Sequence, residues 1–338
     1  MKNKPYQTGM TLIEIMIALL IGAFLLGGVL QIFTGSKQTY RMQEGLSRLQ
    51  ENGRFAMDFI SNDIRMAGYR GCNGLTPIAG VSNDSTVFLS DFNTSIQGFE
   101  STSSSAWTPA INAAITSPLG GSDVITIRRA NEQGNLVTAH VTGSANLTLA
   151  ATTGLAAGDV VLVSDCSGAE AFQISSIGGN VITLQSAPSR SYNGGEVSLI
   201  NTSSYYVRST PIKTDRATIT ANDRLSLYRR TGSNGAEELV EGIEQIHVWY
   251  GVDTDLNPAT GISTDYVPNY YVTANTVNTA NNWASVVSIR ISLLAVTLDD
   301  NLAAQPLAYT YNNATTTPAD RKIRRGFNTT IALRNRLP

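Results

Sequence analysis

Between Ile15 and Leu30 the chain carries only apolar residues and glycine, and one tolerated glutamine, Gln31, lets the run reach Phe33. A helix over those roughly 19 positions, rising about 1.5 Å per residue, is about 28 Å long, close to the hydrocarbon thickness of a bilayer. The run can therefore span a membrane. An acid, Glu14, stands at its head. An ionised carboxylate costs about 2.5 kcal/mol or more at the bilayer centre and less near an interface, so an acid kept there needs a partner. No Lys or Arg lies between Lys4 and Lys37, so neighbouring side chains cannot supply one.

Upstream, Lys2 and Lys4 form a small positive head, while Pro5 and Gly9 discourage an earlier helix start. This is the composition of a secretory n-region, yet no A-x-A-like cleavage site follows Phe33, and "FTGSKQTYRMQEG" leads straight into helical pattern. The stretch "GMTLIEIMIALLIGAFLL", residues 9 to 26, resembles the class III signal of type IV prepilins and pseudopilins. That resemblance implies a leader of residues 1–9, removed by a prepilin peptidase that cuts after Gly9 and methylates the new amino terminus at Met10. It also makes Glu14 the acid five residues into the mature chain. The family usually begins its mature chain with Phe, where this sequence has Met10.

Cleavage would create a cationic amine at the edge of the oily helix. In a low-dielectric fibre core, Glu14 of an incoming subunit could pair with the amine of its neighbour, an axial register that apolar packing alone does not specify. The other reading of Glu14 is a simple signal anchor whose carboxylate snorkels to the headgroups.

Residues 10–33 are thus read as a transmembrane and pilus-core helix, and residues 34–71 as its amphipathic continuation. Met42, Leu46, Leu49, Ala56, Ile60 and Ile64 recur at helical steps among Arg41, Glu44, Arg48, Glu51, Arg54, Asp58 and Arg65, and Gly68 and Gly71 end the pattern. A coiled-coil stalk is the competing reading, but Gly45 and Gly53 interrupt its seam.

Beyond Gly74 the period changes to that of strands. Short β-type runs occur at 123–129, 147–150, 159–166, 171–177, 180–184, 196–200, 204–208, 224–230, 237–252, 284–297 and 325–335. Segments 75–122 and 253–283, rich in Asn, Ser, Thr and Pro, are expected to be loops. The expectation is an α+β, pilin-like fold: a long amino-terminal helix packed on an antiparallel sheet, mostly β after residue 75. Residues 72–338 form the exported head, with a β-subdomain at about 136–200.

Three further stretches, "LVSDCSGAEAFQIS", "LVEGIEQIHVWYGVDTD" and "RRGFNTTIALRNR", resemble the PilW family of minor pilins. The resemblance implies a subunit anchored once in the inner membrane, its bulk periplasmic, that later sits at the pilus tip and cell surface. Its implied partners are other minor pilins, the major pilin, the prepilin peptidase, the assembly platform and a tip adhesin, in a complex that primes assembly and supports twitching motility or adhesion. The corresponding type II secretion pseudopilin is the nearest alternative. A surface adhesin carried by loops 75–122 and 253–283 is another.

Composition narrows the rest. Only 15% of residues are charged and the net charge is −2, which leaves no global basic field for nucleic acid. The basic tail with Arg321, Lys322, Arg324, Arg325, Arg334 and Arg336 reads as a final strand with Ile331 and Leu333 turned inward, rather than a DNA-uptake patch. No catalytic motif and no cofactor motif is present, and His140 and His247 both sit in strand-like alternation, so no enzyme is expected. Cys72 and Cys166 are too far apart for a metal knuckle; a disulfide is the simplest reading in an oxidising compartment, two buried thiols the other. "DTDLN", residues 253 to 257, offers Asp253, Asp255 and Asn257 at alternate positions as in a calcium loop. Pro258 and Thr264 break that pattern, so a solvated loop is expected and no metal site is assigned.

Overall fold

The computed structural model describes residues 9–71, 78–80, 88–232, 234–255 and 265–336. Helix α1, Leu12–Arg65, runs unbroken for 54 residues, about 81 Å. It stops before Gly71 because Met66 turns its N–H back onto Asn62 and Asp63, and Gly68 then takes φ +74°, a conformation open to glycine. Among the described residues, no residue of the most apolar window of α1 is buried. The second half is amphipathic as expected, with Leu49, Ala56, Ile60 and Ile64 each at most 2% exposed.

Strands β1 (Ile96–Ser101) and β2 (Trp107–Thr108) lie inside the segment expected to be loop. Gln97, Gly98 and Ser101 dilute the strand signal of β1, and Gly98 is required there because a Cβ would strike the Tyr250 hydroxyl. β1 pairs with β3 (Val124–Ala130). Next come β4 (Asn135–His140), β5 (Asn146–Leu149), β6 (Val160–Asp165), β7 (Gly168–Gly178) and β8 (Val181–Leu184). All meet the 15-residue β9 (Glu196–Thr210), directly or through one another. Antiparallel pairing runs β9–β4–β5–β8–β7–β6 and back to β9, closing a ring around its own core of Val137, Leu149, Phe172, Ile182, Tyr192 and Val197. A closed ring leaves these strands without a free edge. The far half of β9 pairs with β10 (Arg224–Thr231), which pairs with β11 (Ala236–Glu241).

A second sheet covers the helix. The run 237–252, expected as one strand, breaks at Gly242 (φ +74°) into β11 of the large sheet and β12 (Ile243–Val252) of the small one. The segment 253–283 also holds regular structure, β13 (Tyr270–Val272) and the short helix α2 (Ala274–Ala280). After β14 (Val286–Val296), a hairpin of β15 (Tyr309–Tyr311) and β16 (Ala314–Thr316) precedes β17 (Arg324–Ala332), giving the order β13-β12-β14-β17. Ile246, Val248, Ile289, Ile291 and Leu293 of this sheet meet Ile60 and Ile64 of α1 and Ile125, Tyr205 and Leu227 of the large sheet in one core. Asp63 locks the layers from the helix side, accepting hydrogen bonds from the Tyr205 hydroxyl at 2.6 Å and the Arg129 guanidinium at 3.1 Å. Burial and the Asp63 carboxylate together push the Tyr205 hydroxyl far above its ordinary pKa.

Gly45 and Gly53, which disqualify a coiled coil, have a positive use here. A Cβ on Gly45 would meet Leu302 at 2.7 Å, and one on Gly53 would collide with the Phe327 ring of β17. Gly53→Ala gains about 1 kcal/mol of helix propensity. The overpacking it forces costs about 1–3 kcal/mol, and the neighbour is a rigid ring, so the net change is destabilising. Thermal unfolding of the detergent-solubilised chain should show a lowered midpoint, and the same substitution on a Phe327→Ala background should be neutral or favourable.

Candidate functional site at the start of the helix

Gly9 and Met10 are exposed, and nothing lies within 4 Å of where a Cβ on Gly9 would stand. The backbone around the Gly9–Met10 bond is therefore open to a protease. Thr11 takes extended φ/ψ of −77° and 150° and caps α1. Its hydroxyl oxygen accepts from Glu14 N–H at 3.3 Å, while the Glu14 carboxylate accepts from Thr11 N–H and from the Thr11 hydroxyl, each at 3.2 Å. This reciprocal pair is a capping box, the T-x-x-E pattern that satisfies two orphan donors at a helix start. Within the single chain Glu14 is thus occupied by its own helix cap, an arrangement legible in "TLIE" that the membrane argument alone does not give. The capped carboxylate sits where the helix dipole is positive, and the apolar surface after it is bare: Leu12, Leu19, Phe24, Leu25 and Ile32 are each more than 60% exposed.

At the other end of α1, Cys72 lies outside the described residues. Gly71, just before it, comes within 3.4 Å of the Ser164 hydroxyl when a Cβ is built on it, and Ala79 pairs with Glu170 in a parallel bridge. Both contacts flank Cys166, and no free cysteine occurs among the described residues.

The remaining candidates are structural. The two ring nitrogens of His140 are engaged by Ser144 O at 2.9 Å and by Tyr192 N–H at 3.1 Å, so the ring bridges two loops. His247 lies 3.3 Å from Asp123 on the far face of β12, but Asp123 is buried and already accepts from the backbone N–H of Ser101 and Val248. The tail cation Arg324 is paired with Asp320 and with Glu244, which also holds Arg216. Arg324 and Arg216 thus tie loops to strands. Ile331 and Leu333 are buried, as the alternation predicts. Arg128, 1% exposed, has its pKa lowered to about 10 by burial; it donates to Phe88 O and Thr94 O and so anchors the chain entering β1.

Asp253 and Asp255 do approach one another, joined by Asp265, which the calcium-loop pattern does not point to; one oxygen of each lies within 4.8 Å of the others. Asn257, Pro258 and Thr264 lie outside the described residues. A hard cation would suit such oxygens. Each carboxylate also accepts a local hydrogen bond that braces the loop: Asp253 from Asp255 N–H, Asp255 from Asn269 and Asp265 from Val267 N–H.

Two family models match the chain. Residues 4–30 match the prokaryotic N-terminal methylation motif, which covers Gly9, Met10 and Glu14. Residues 204–335 match Type IV Pilus-assembly protein W, a segment running from mid-β9 through β17 and so including the whole sheet that covers α1. No curated protein and no solved structure matches the chain. A methylation-motif helix with an uncovered apolar half, joined to a head whose residues 204–335 match PilW, supports a type IV pilus minor pilin of the PilW family.

Proposed function

We propose that the chain joins other minor pilins in a complex at the tip of the pilus, from which the major pilin polymerises. The observation that carries this reading is the bare apolar half of α1 with its single acid at the start, fused to a head that makes a 36.1 kDa chain. Such a helix can leave lipid for the core of a helical fibre without unfolding, because both environments accept the same surface. So large a head suits a cap or an initiator better than a repeating subunit. On this reading residues 1–9 are removed after Gly9, Met10 becomes the methylated terminus, and the bulk of the chain is periplasmic until the tip emerges at the surface. Its function is recognition and assembly, not catalysis.

Deleting the chain should abolish or sharply reduce surface fibres and twitching, with recovery on re-expression. Unchanged piliation and motility would defeat the priming role. Co-purification of the full chain with minor pilins of the pilus, and not with the type II secretion pseudopilins of the same cell, separates the two machineries; the PilW match favours the first.

A further inference from the structure

The four-stranded sheet has two chemically different faces. Residues that alternate with its buried core positions point away from α1, and strand register gathers them: Trp249 of β12 stands opposite Arg290 of β14, and Ser292 of β14 opposite Asn328 of β17. The β15–β16 hairpin leans over one end of this face, where Tyr311 donates its hydroxyl to Ser292 O at 2.8 Å. Its two-residue turn, Asn312–Asn313, has both φ positive, 50° and 61°, as in a type I′ turn, and so presents two amides on a stiff support. Tyr271 walls the other end, with the Arg290 guanidinium stacked 4.1 Å from its ring centroid.

Between these walls lies a groove of about 580 Å³. Its lining consists of aromatic rings, Asn amides, hydroxyls, a glycine and one guanidinium; it holds no carboxylate and no Leu, Ile, Val or Met. That is a surface of rings, amides and hydroxyls rather than of aliphatic side chains. It is a good seat for a sugar: ring faces meet the C–H faces of a pyranose, and amides both donate to and accept from hydroxyls. Arg290 is exposed and in no ion pair among the described residues, and its stacking on Tyr271 fixes the fork that a carboxylate takes in two hydrogen bonds.

We propose that this groove binds a saccharide that carries a carboxylate, the pyranose lying against Trp249 and the acid on Arg290. The inference stands independently of the priming role, since it uses only the far face of the sheet. Titration calorimetry of the full chain in detergent micelles, with sialyllactose, trigalacturonate and lactose as probes, tests it. At least one acidic probe should bind saturably and about tenfold or more tighter than lactose, and which one binds tells sialic acid from uronic acid. Arg290→Gln should weaken that binding about tenfold or more, and Asn328→Asp, which sets a like charge beside the acid, should do the same. Both residues are exposed, so the unfolding midpoint of each variant should match the parent. No saturable binding of either acidic sugar, equal affinity for lactose, or affinity unchanged in both variants would overturn the proposal.

Discussion

Glu14→Gln should remove the chain from sheared fibres almost as completely as Glu14→Ala, while both variants still insert in the membrane. The pairing of substitutions separates the helix-cap role that the structure shows for this carboxylate from the pairing role proposed for it. Glutamine at this position still completes a capping box with Thr11, so the start of α1 is preserved. Alanine loses the cap as well. What both lose is the negative charge available to a neighbour's amino terminus. Leaving that amine buried and uncompensated in an apolar fibre core disfavours incorporation by about a hundredfold. Immunoblots of sheared fibres against membrane fractions read the ratio. If Glu14→Gln incorporates normally and Glu14→Ala does not, the acid serves the helix start and the pairing role is wrong.

The second large effect concerns the joint between helix and head. We expect Cys72→Ser or Cys166→Ser to lower stability by about 4 kcal/mol, because the bridge proposed between them would close a loop of about 95 residues and so restrict the unfolded chain. Support comes from the approach of Gly71 to Ser164 and of Ala79 to Glu170, which bring the chain on either side of Cys72 to the strands that flank Cys166. The two single variants and the double variant should lose the same amount, since either removal breaks one shared bond. Additive losses in denaturant titration, or a parent whose stability does not change on reduction, would show two separate thiols.

How much of this molecule could be read from its residues depends on whether the signal is local. The spanning run, the amphipathic face of α1 and the strands around "DVITIRR", "DVVLVSDC" and "ASVVSIRISLLAVT" are local patterns, and each forms where its period says. β1 was hidden because Gln97, Gly98 and Ser101 dilute its strand signal, and α2 because only Ala274 and Val277 of its residues are buried. The break at Gly242 was hidden because apolar residues continue on both sides of it, Leu239 and Val240 before and Ile243 and Ile246 after. Ring closure through β9, the meeting of Asp265 with Asp253, and the register that sets Trp249 beside Arg290 are all non-local. No spacing along the chain encodes them, because they are fixed by which strand edges remain free once the core has closed. The capping box at Thr11 and Glu14 was the opposite case, a local pattern masked by a stronger argument about lipid.

The central claim is that Glu14 finds its partner in a terminus that exists only after the leader has gone. Intact-mass and amino-terminal peptide spectrometry of the chain from piliated cells tests it directly. The account predicts a polypeptide that begins at Met10 and carries one added methyl on its α-nitrogen. A chain still bearing residues 1–9 in cells whose peptidase processes the major pilin would contradict it.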